Sequence, residues 1–316
     1  MVPESALRPP PVPTDRINAT GRPAPGYRER LRRIPSVRNG VAVGSVYAQT
    51  IGVLASAVWL DHPLGWIAAF VLMGRAHAQF AALMHEAAHR LLFRNRRLND
   101  WVGRWLLGFP SLTPIDLYRR GHMAHHRQEF GPDEPDIPLY RGYPISRASF
   151  RRKLVRDATG QTGWKLFRGL MRAVRSPEPA IRSQARSIVA AQVVLIALFA
   201  GAGHPWLYLL LWFGPYLTVW RVINRLRSIA EHGGMQASKD RRETTHSVRQ
   251  SLLARFFLVP HHIGWHLAHH VDSGVPMSRL PAYHRELVRA GYVPEGLEHP
   301  SYLTLWRRLS SRPLDA

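Results

Sequence analysis

The chain has 316 residues, no cysteine and a formal net charge of +22. Without cysteine it can form no disulfide, thiolate metal site, iron–sulfur cluster or cysteine nucleophile, so redox chemistry would need a non-thiolate metal or a second protein. The basic residues are nearly all arginine and flank long apolar stretches. That is the distribution of the positive-inside rule and of contact with anionic headgroups, not of a nucleic-acid binder, and nucleic acid is not expected as a partner.

Residues 1–38 are rich in Pro and Arg and poor in apolar positions. They read as a disordered basic tail, and they lack the apolar core and cleavage site of a secretory signal. From Gly40 to Leu60 no residue is charged, a stretch long enough to span a bilayer. Asp61-His62-Pro63 makes a turn, and a second apolar run follows to Met84, interrupted by Arg75, His77 and Gln79. Trp105–Leu112 is apolar but short, and reads as interfacial or re-entrant. A third run starts at Ile188, turns at Gly201–Pro205, and a fourth extends from Trp206 to about Trp220.

The tail before the first run carries eight arginines, the two short turns carry no Lys or Arg, and the segments 85–187 and 221–316 are strongly basic. The positive-inside rule then puts both turns outside and the long segments in the cytoplasm. The predicted fold is an all-α integral membrane protein. Four transmembrane helices (about 40–60, 64–84, 188–203 and 206–222) carry a cytoplasmic histidine-rich helical cap, within one domain of residues 39–300 followed by a C-terminal tail, 301–316. The arginine bias suggests a GC-rich genome and a bacterial inner membrane.

Three histidine clusters fall on the predicted cytoplasmic side: His85-Glu-Ala-Ala-His89, His122-Met-Ala-His125-His126 and His266-Leu-Ala-His269-His270. On a helix, positions i, i+3 and i+4 share a face, so each cluster can aim its imidazoles at one point. Neutral imidazole is the commonest metal ligand. The first cluster alone also fits a zinc peptidase, with Glu86 as general base, but one zinc leaves both HxxHH clusters unexplained. His232 emerges from the fourth run on the same side and is expected to join them. His262 falls on the helical face of His266, His269 and His270, with two roles open: a further ligand, or a hydrogen-bond donor to one. Glu86, Asp136 and Glu231 are candidates either as further ligands or as groups that orient ligand imidazoles, and the acids around Pro132–Asp136 generally are candidates for the second role. Arg75, Gln79 and Glu86 form a polar stripe leading to His89; Arg75 reads either as a snorkelling cation or as a partner of Glu86.

HEAAH, HMAHH and HLAHH, in this order among four apolar runs, resemble the membrane fatty acid desaturase and hydroxylase superfamily over about residues 40–290. Arg90-Leu-Leu-Phe93 with Asn99-Asp100, Tyr118-Arg119 and Arg227-Ser-Ile-Ala-Glu231-His232 add to the likeness. The resemblance implies a non-haem di-iron centre that uses O₂ to oxidise an unactivated C–H bond of a fatty acyl or lipid chain. A double bond would be the product, or a hydroxyl or keto group in the hydroxylase branch. Electrons would come from a separate ferredoxin or cytochrome b5 type donor. The ligands carried over are His85, His89, His122, His125, His126, His266, His269 and His270, with His232 as the ninth. Asn224 is the nearest candidate for the asparagine that holds a water on one iron in some members. Many relatives read Asn-Tyr-His-x-Glu-His-His at the third cluster; Gly264, Trp265 and Ala268 depart from that pattern.

Overall fold

The computed structural model describes residues 1–132 and 134–312; Asp133 and the end of the expected C-terminal tail, 313–316, lie outside the described residues. The chain is mostly helical, with one two-residue parallel pairing of Ser247–Val248 with Glu298–His299. Its contacts cluster into two units interleaved along the sequence, one of residues 35–119 and 152–224, the other of residues 1–34, 120–151 and 225–316.

The first of these carries the apolar runs. Three helices are long and apolar enough to cross a membrane, lying at Pro25–Leu60, Pro63–Ala88 and Pro179–Gly201. Within the first, the continuous apolar helix is Ser36–Leu60. It ends at Asp61 in the left-handed region, and the next helix starts at once, with Pro63 in its first turn and the His62 side chain accepting from the Leu64 amide. Pro63–Ala88 is the most enclosed of the three. The other two turn large apolar side chains outward, among them Ile51, Trp59 (83% exposed), Val193 and Leu198. In water such a surface is unstable, whereas in hydrocarbon it is at home.

The expected fourth span is not one helix. A π-helical turn, Tyr208–Phe213, leads into Gly214–Leu217, and the backbone breaks at Thr218 before the helix Val219–His232 begins. Pro215, which has no amide hydrogen to donate, sits in this stretch. Gly74 lets Val219 approach so closely that a Cβ there would lie 2.3 Å from the valine Cγ1.

In the second unit, residues 1–34 are packed rather than disordered. Ile17 is fully buried, the Tyr283 hydroxyl donates to the Gly21 carbonyl (2.8 Å), and Arg28 pairs with Asp272 (2.6 Å). The few apolar residues of a Pro- and Arg-rich segment suffice because its arginines find acids in residues 225–312, such as Glu286 for Arg16 and Asp272 for Arg28. The expected C-terminal tail likewise contains a helix, Tyr302–Leu309, capped by Ser301 and burying Leu305 and Leu309.

Candidate metal centre

His85 and His89 lie at the end of the Pro63–Ala88 helix, with ring centroids 4.6 Å apart. The helix end is held by residues the sequence comparison alone does not explain. Asn99, fully buried, donates to the Ala87 carbonyl and accepts from the amides of Leu92 and Phe93. Arg119 donates to the carbonyls of Ala88 and Ala87 and pairs with Asp100 at 2.6 Å. These satisfy terminal carbonyls that have no partner within the helix, and so fix the turn bearing both histidines. Glu86 is buried on the same helix. Arg75 hydrogen-bonds Gln79 (2.8 Å) and Gln49 (2.6 Å), the first of which continues the expected polar stripe.

The second unit gathers the other two clusters and His232. The ring nitrogens of His125, His232, His266 and His270 lie within 4.8 Å of one another, and all four side chains are buried. Nε2 of His266 is 3.0 Å from Nε2 of both His232 and His270, and Nε2 of His125 is 3.4 Å from that of His270. The opposite nitrogens of His232, His125 and His270 point outward to acceptors. Nδ1 of His232 faces the Thr244 carbonyl at 2.8 Å, that of His125 faces Glu134 at 2.5 Å, that of His270 faces Glu129 at 2.5 Å, and that of His266 lies 3.5 Å from Glu231. In those three rings a carbonyl or carboxylate takes the Nδ1 proton and leaves the Nε2 lone pair turned inward. Several converging lone pairs at such separations repel unless a cation lies among them. Donors about 2.1 Å from one ion and at right angles stand about 3.0 Å apart, so the residues present fit a metal ion.

Electrostatics favour the neutral, metal-binding state for three of the four rings. Burial, then neighbouring charges beginning with His125, His126 or His232, holds His232, His266 and His270 well below the usual histidine range, hence neutral. Burial also pulls His125 down, but hydrogen bonding to Glu134 and that group's charge outweigh it and raise the imidazole. Burial pushes Glu231 up, opposed by Arg227 at 2.9 Å and by His125.

His122, His126 and His269 form a second set whose ring nitrogens also lie within 4.8 Å of one another. The rings of His126 stand 4.6 Å from His269 and 4.4 Å from His270, so this set adjoins the first.

Of the residues proposed to ligate a metal or orient ligands, Glu231 has a carboxylate oxygen 3.5 Å from Nδ1 of His266. Asp136 acts on His125 through its charge; Glu134, two residues earlier, makes the hydrogen bond. Glu129 was not singled out in the sequence, where an acid between HMAHH and Gly131 looks like a solvated loop residue. His262 departs from expectation: the third-cluster helix begins at His266, and both His261 and His262 adopt the left-handed region. Pro260 and Gly264 interrupt the helix there, and a Cβ on Gly264 would come within 2.8 Å of Val259. Asn224 lies on the Val219–His232 helix, two turns before His232.

Comparison with known proteins places the chain in a family. The fatty acid desaturase family model matches residues 18–302. The chain is 25% identical over 273 residues to dihydrorhizobitoxine desaturase of Bradyrhizobium elkanii, covering 79% of this chain and 76% of the relative. It is 23% identical over 312 residues to an sn-1 oleoyl-lipid 12-desaturase of Arthrospira platensis, covering 88% and 83%. It is 24% identical over 250 residues to an sn-1 acyl-lipid omega-3 desaturase (ferredoxin) of Synechocystis sp., covering 70% and 66%. The single-zinc peptidase reading of HEAAH is not favoured by these relatives. A family match over most of the chain, together with the buried imidazole cluster and the membrane-competent helices, makes this protein an oxidoreductase that belongs to the fatty acid desaturase family.

Proposed function

We propose that the protein is an O₂-dependent desaturase that introduces a double bond into an acyl chain of a membrane lipid. The observation that carries the reading is the set of four buried imidazoles whose ring nitrogens converge, in a chain of this family. Two iron ions would be held by His85, His89, His122, His125, His126, His232, His266, His269 and His270. When bound, such a pair supplies O₂ reduction and abstraction of hydrogen from an unactivated C–H bond. The overall change takes a –CH₂–CH₂– unit, O₂, two electrons and two protons to –CH=CH– and two waters.

The protein's own contribution is positional. Glu129, Glu134 and the Thr244 carbonyl hold the Nδ1 protons of His270, His125 and His232, so these rings need not reorient to bind metal. Burial of all four excludes water that would compete for the lone pairs. The acyl-lipid substrate is inferred from the names of the Arthrospira and Synechocystis relatives, and a ferredoxin as one-electron donor from the latter's. The arginine distribution supports a multi-pass protein of a bacterial inner membrane, with the short turns outside, the histidines cytoplasmic, and a fourth span broken near Thr218.

The test is expression with an acidic ferredoxin and its reductase in a host rich in monounsaturated lipids, followed by lipid mass spectrometry. New species lacking two hydrogens are expected. Species carrying an added oxygen would replace the desaturase reading with a hydroxylase one.

A further inference from the structure

A cavity of about 1070 Å³ opens in the unit that carries the four-imidazole cluster. Its lining includes five cations, Arg22, Arg127, Lys239, Arg241 and Arg242, against two acids, Glu129 and Asp240. Both acids are already engaged. Asp240 holds Arg242 at 2.8 Å, and Glu129 pairs with Arg241 and accepts from His270. Arg22, Arg127 and Lys239 are exposed and have no acidic partner among the described residues. The cavity therefore presents uncompensated positive charge at its accessible surface.

Its inner wall has a different property. Glu129 is buried and one hydrogen bond, 2.5 Å, from the His270 ring. Arg241, on the same wall, also donates to the carbonyl of His126 at 2.9 Å. A charged receptor surface and a one-bond connection to the imidazole cluster thus share one cavity. The packed N-terminal segment helps to build it: Ala19, Thr20 and Arg22 line it, and Arg242 is held from behind by the Pro9 carbonyl (2.8 Å) and the Tyr292 ring.

We infer that this cavity is the docking site of an acidic one-electron redox protein, with Glu129 and His270 at the point of electron entry. The inference rests on the oxidoreductase reading for the need of a donor, and on the cavity's own charge and position for where the donor binds. Exposed unpaired cations attract an acidic protein from a distance and speed encounter in a salt-dependent way. A small anion lodged against the inner wall would instead meet the Glu129 carboxylate. Each docking event delivers one electron, so two successive events match the two electrons per double bond.

The experiment immobilises the full-length protein in nanodiscs and measures binding of an acidic plant-type [2Fe–2S] ferredoxin by surface plasmon resonance at low and high ionic strength. Arg127→Glu with Lys239→Glu is expected to weaken binding by about tenfold or more at low salt and to flatten its salt dependence. Arg285→Glu with Arg307→Glu, an equal charge change at exposed arginines outside the cavity, should alter it less than about twofold, by the same reasoning on local charge. Arg127→Lys with Lys239→Arg should bind as the parent does, and circular dichroism should be unchanged in all three. Unchanged ferredoxin binding in the cavity variant, equal loss in the control pair, or cavity-dependent capture of anionic vesicles in place of ferredoxin would overturn the proposal. Because binding is read directly, cavity-dependent docking without any lipid product would sink the desaturase reading and leave the docking site standing. Desaturation with cavity-independent docking would do the reverse.

Discussion

The Nδ1 of His232 lies 2.8 Å from the carbonyl oxygen of Thr244, the last residue of the short helix Arg241–Thr244. A carbonyl can only accept, so this contact fixes the proton on Nδ1 and turns the Nε2 lone pair toward His266. The first residue of the same helix, Arg241, pairs with Glu129, which in turn holds His270. One four-residue helix therefore sets two imidazoles of the cluster, one through its backbone and one through a side chain.

Replacing the carboxylates that hold these rings should loosen metal without unfolding the protein. Glu129→Gln and Glu134→Gln are each expected to lower iron affinity by about 10- to 100-fold. Competitive chelator titration of purified protein measures this. Affinity equal to the parent's in both variants would mean the rings are oriented by packing alone.

His125→Ala and His269→Ala are expected to abolish product while membrane insertion persists, since each removes a buried metal-competent nitrogen and little packing volume. Lipid analysis paired with a fractionation blot checks both halves. Undiminished product in either variant removes that residue from the ligand set.

The end of the Pro63–Ala88 helix offers a test outside the metal ligands. Asn99→Ala removes one hydrogen bond to the Ala87 carbonyl and strands two amides, the buried one of Leu92 and the part-buried one of Phe93. A loss of about 1–3 kcal/mol is expected for each buried group left unsatisfied, together with weaker metal retention at His85 and His89. Thermal unfolding in detergent reads the first and iron content the second.

Gly74→Leu places a side chain where a Cβ alone would meet Val219 Cγ1 at 2.3 Å. Overpacking of this kind costs about 1–3 kcal/mol. Gly74→Leu with Val219→Ala should recover part of the loss, and failure of the double variant to recover any would show that the backbones, not these side chains, set the approach.

Glu298 provides a pH-dependent test away from the metal ligands. Burial pushes this carboxyl up, but hydrogen bonds from His284 and Arg249 outweigh it and hold it below the usual Glu range. A depressed folded value means that its stabilising contribution is complete above the ordinary value and is lost as pH falls through the folded one. The stability gap between the parent and Glu298→Gln should accordingly be open near neutral pH and close in acid. A gap independent of pH would show that the carboxylate's charge is not involved.

The histidine clusters, the three long apolar helices and the family were all legible in the sequence, because periodicity and uncharged length are local properties. His232 was legible too, as a histidine leaving the fourth apolar run. Local pattern failed where distant segments decide the outcome. The tail looked disordered because its partners, such as Asp272 for Arg28 and Tyr283 for Gly21, lie some 250 residues away. His262 looked helical because spacing alone does not register that the backbone turns left-handed at His261 and His262 and that the helix begins only at His266. Glu129 carried no signal in the sequence, because only the return of the third cluster buries it against His270. Asn99 and Arg119 were noted as part of a resemblance, and their hydrogen bonds to Ala87 and Ala88 supply the physical reason for it.

The central claim is that the imidazole cluster supports desaturation of an acyl lipid. Its most direct test is mass spectrometry of total lipids from cells co-expressing the protein, an acidic ferredoxin and a ferredoxin reductase, with the His125→Ala variant as the control. The account predicts acyl chains lacking two hydrogens in the parent and none in the variant. Chains that gain oxygen instead, or the same desaturated chains in both strains, would contradict it.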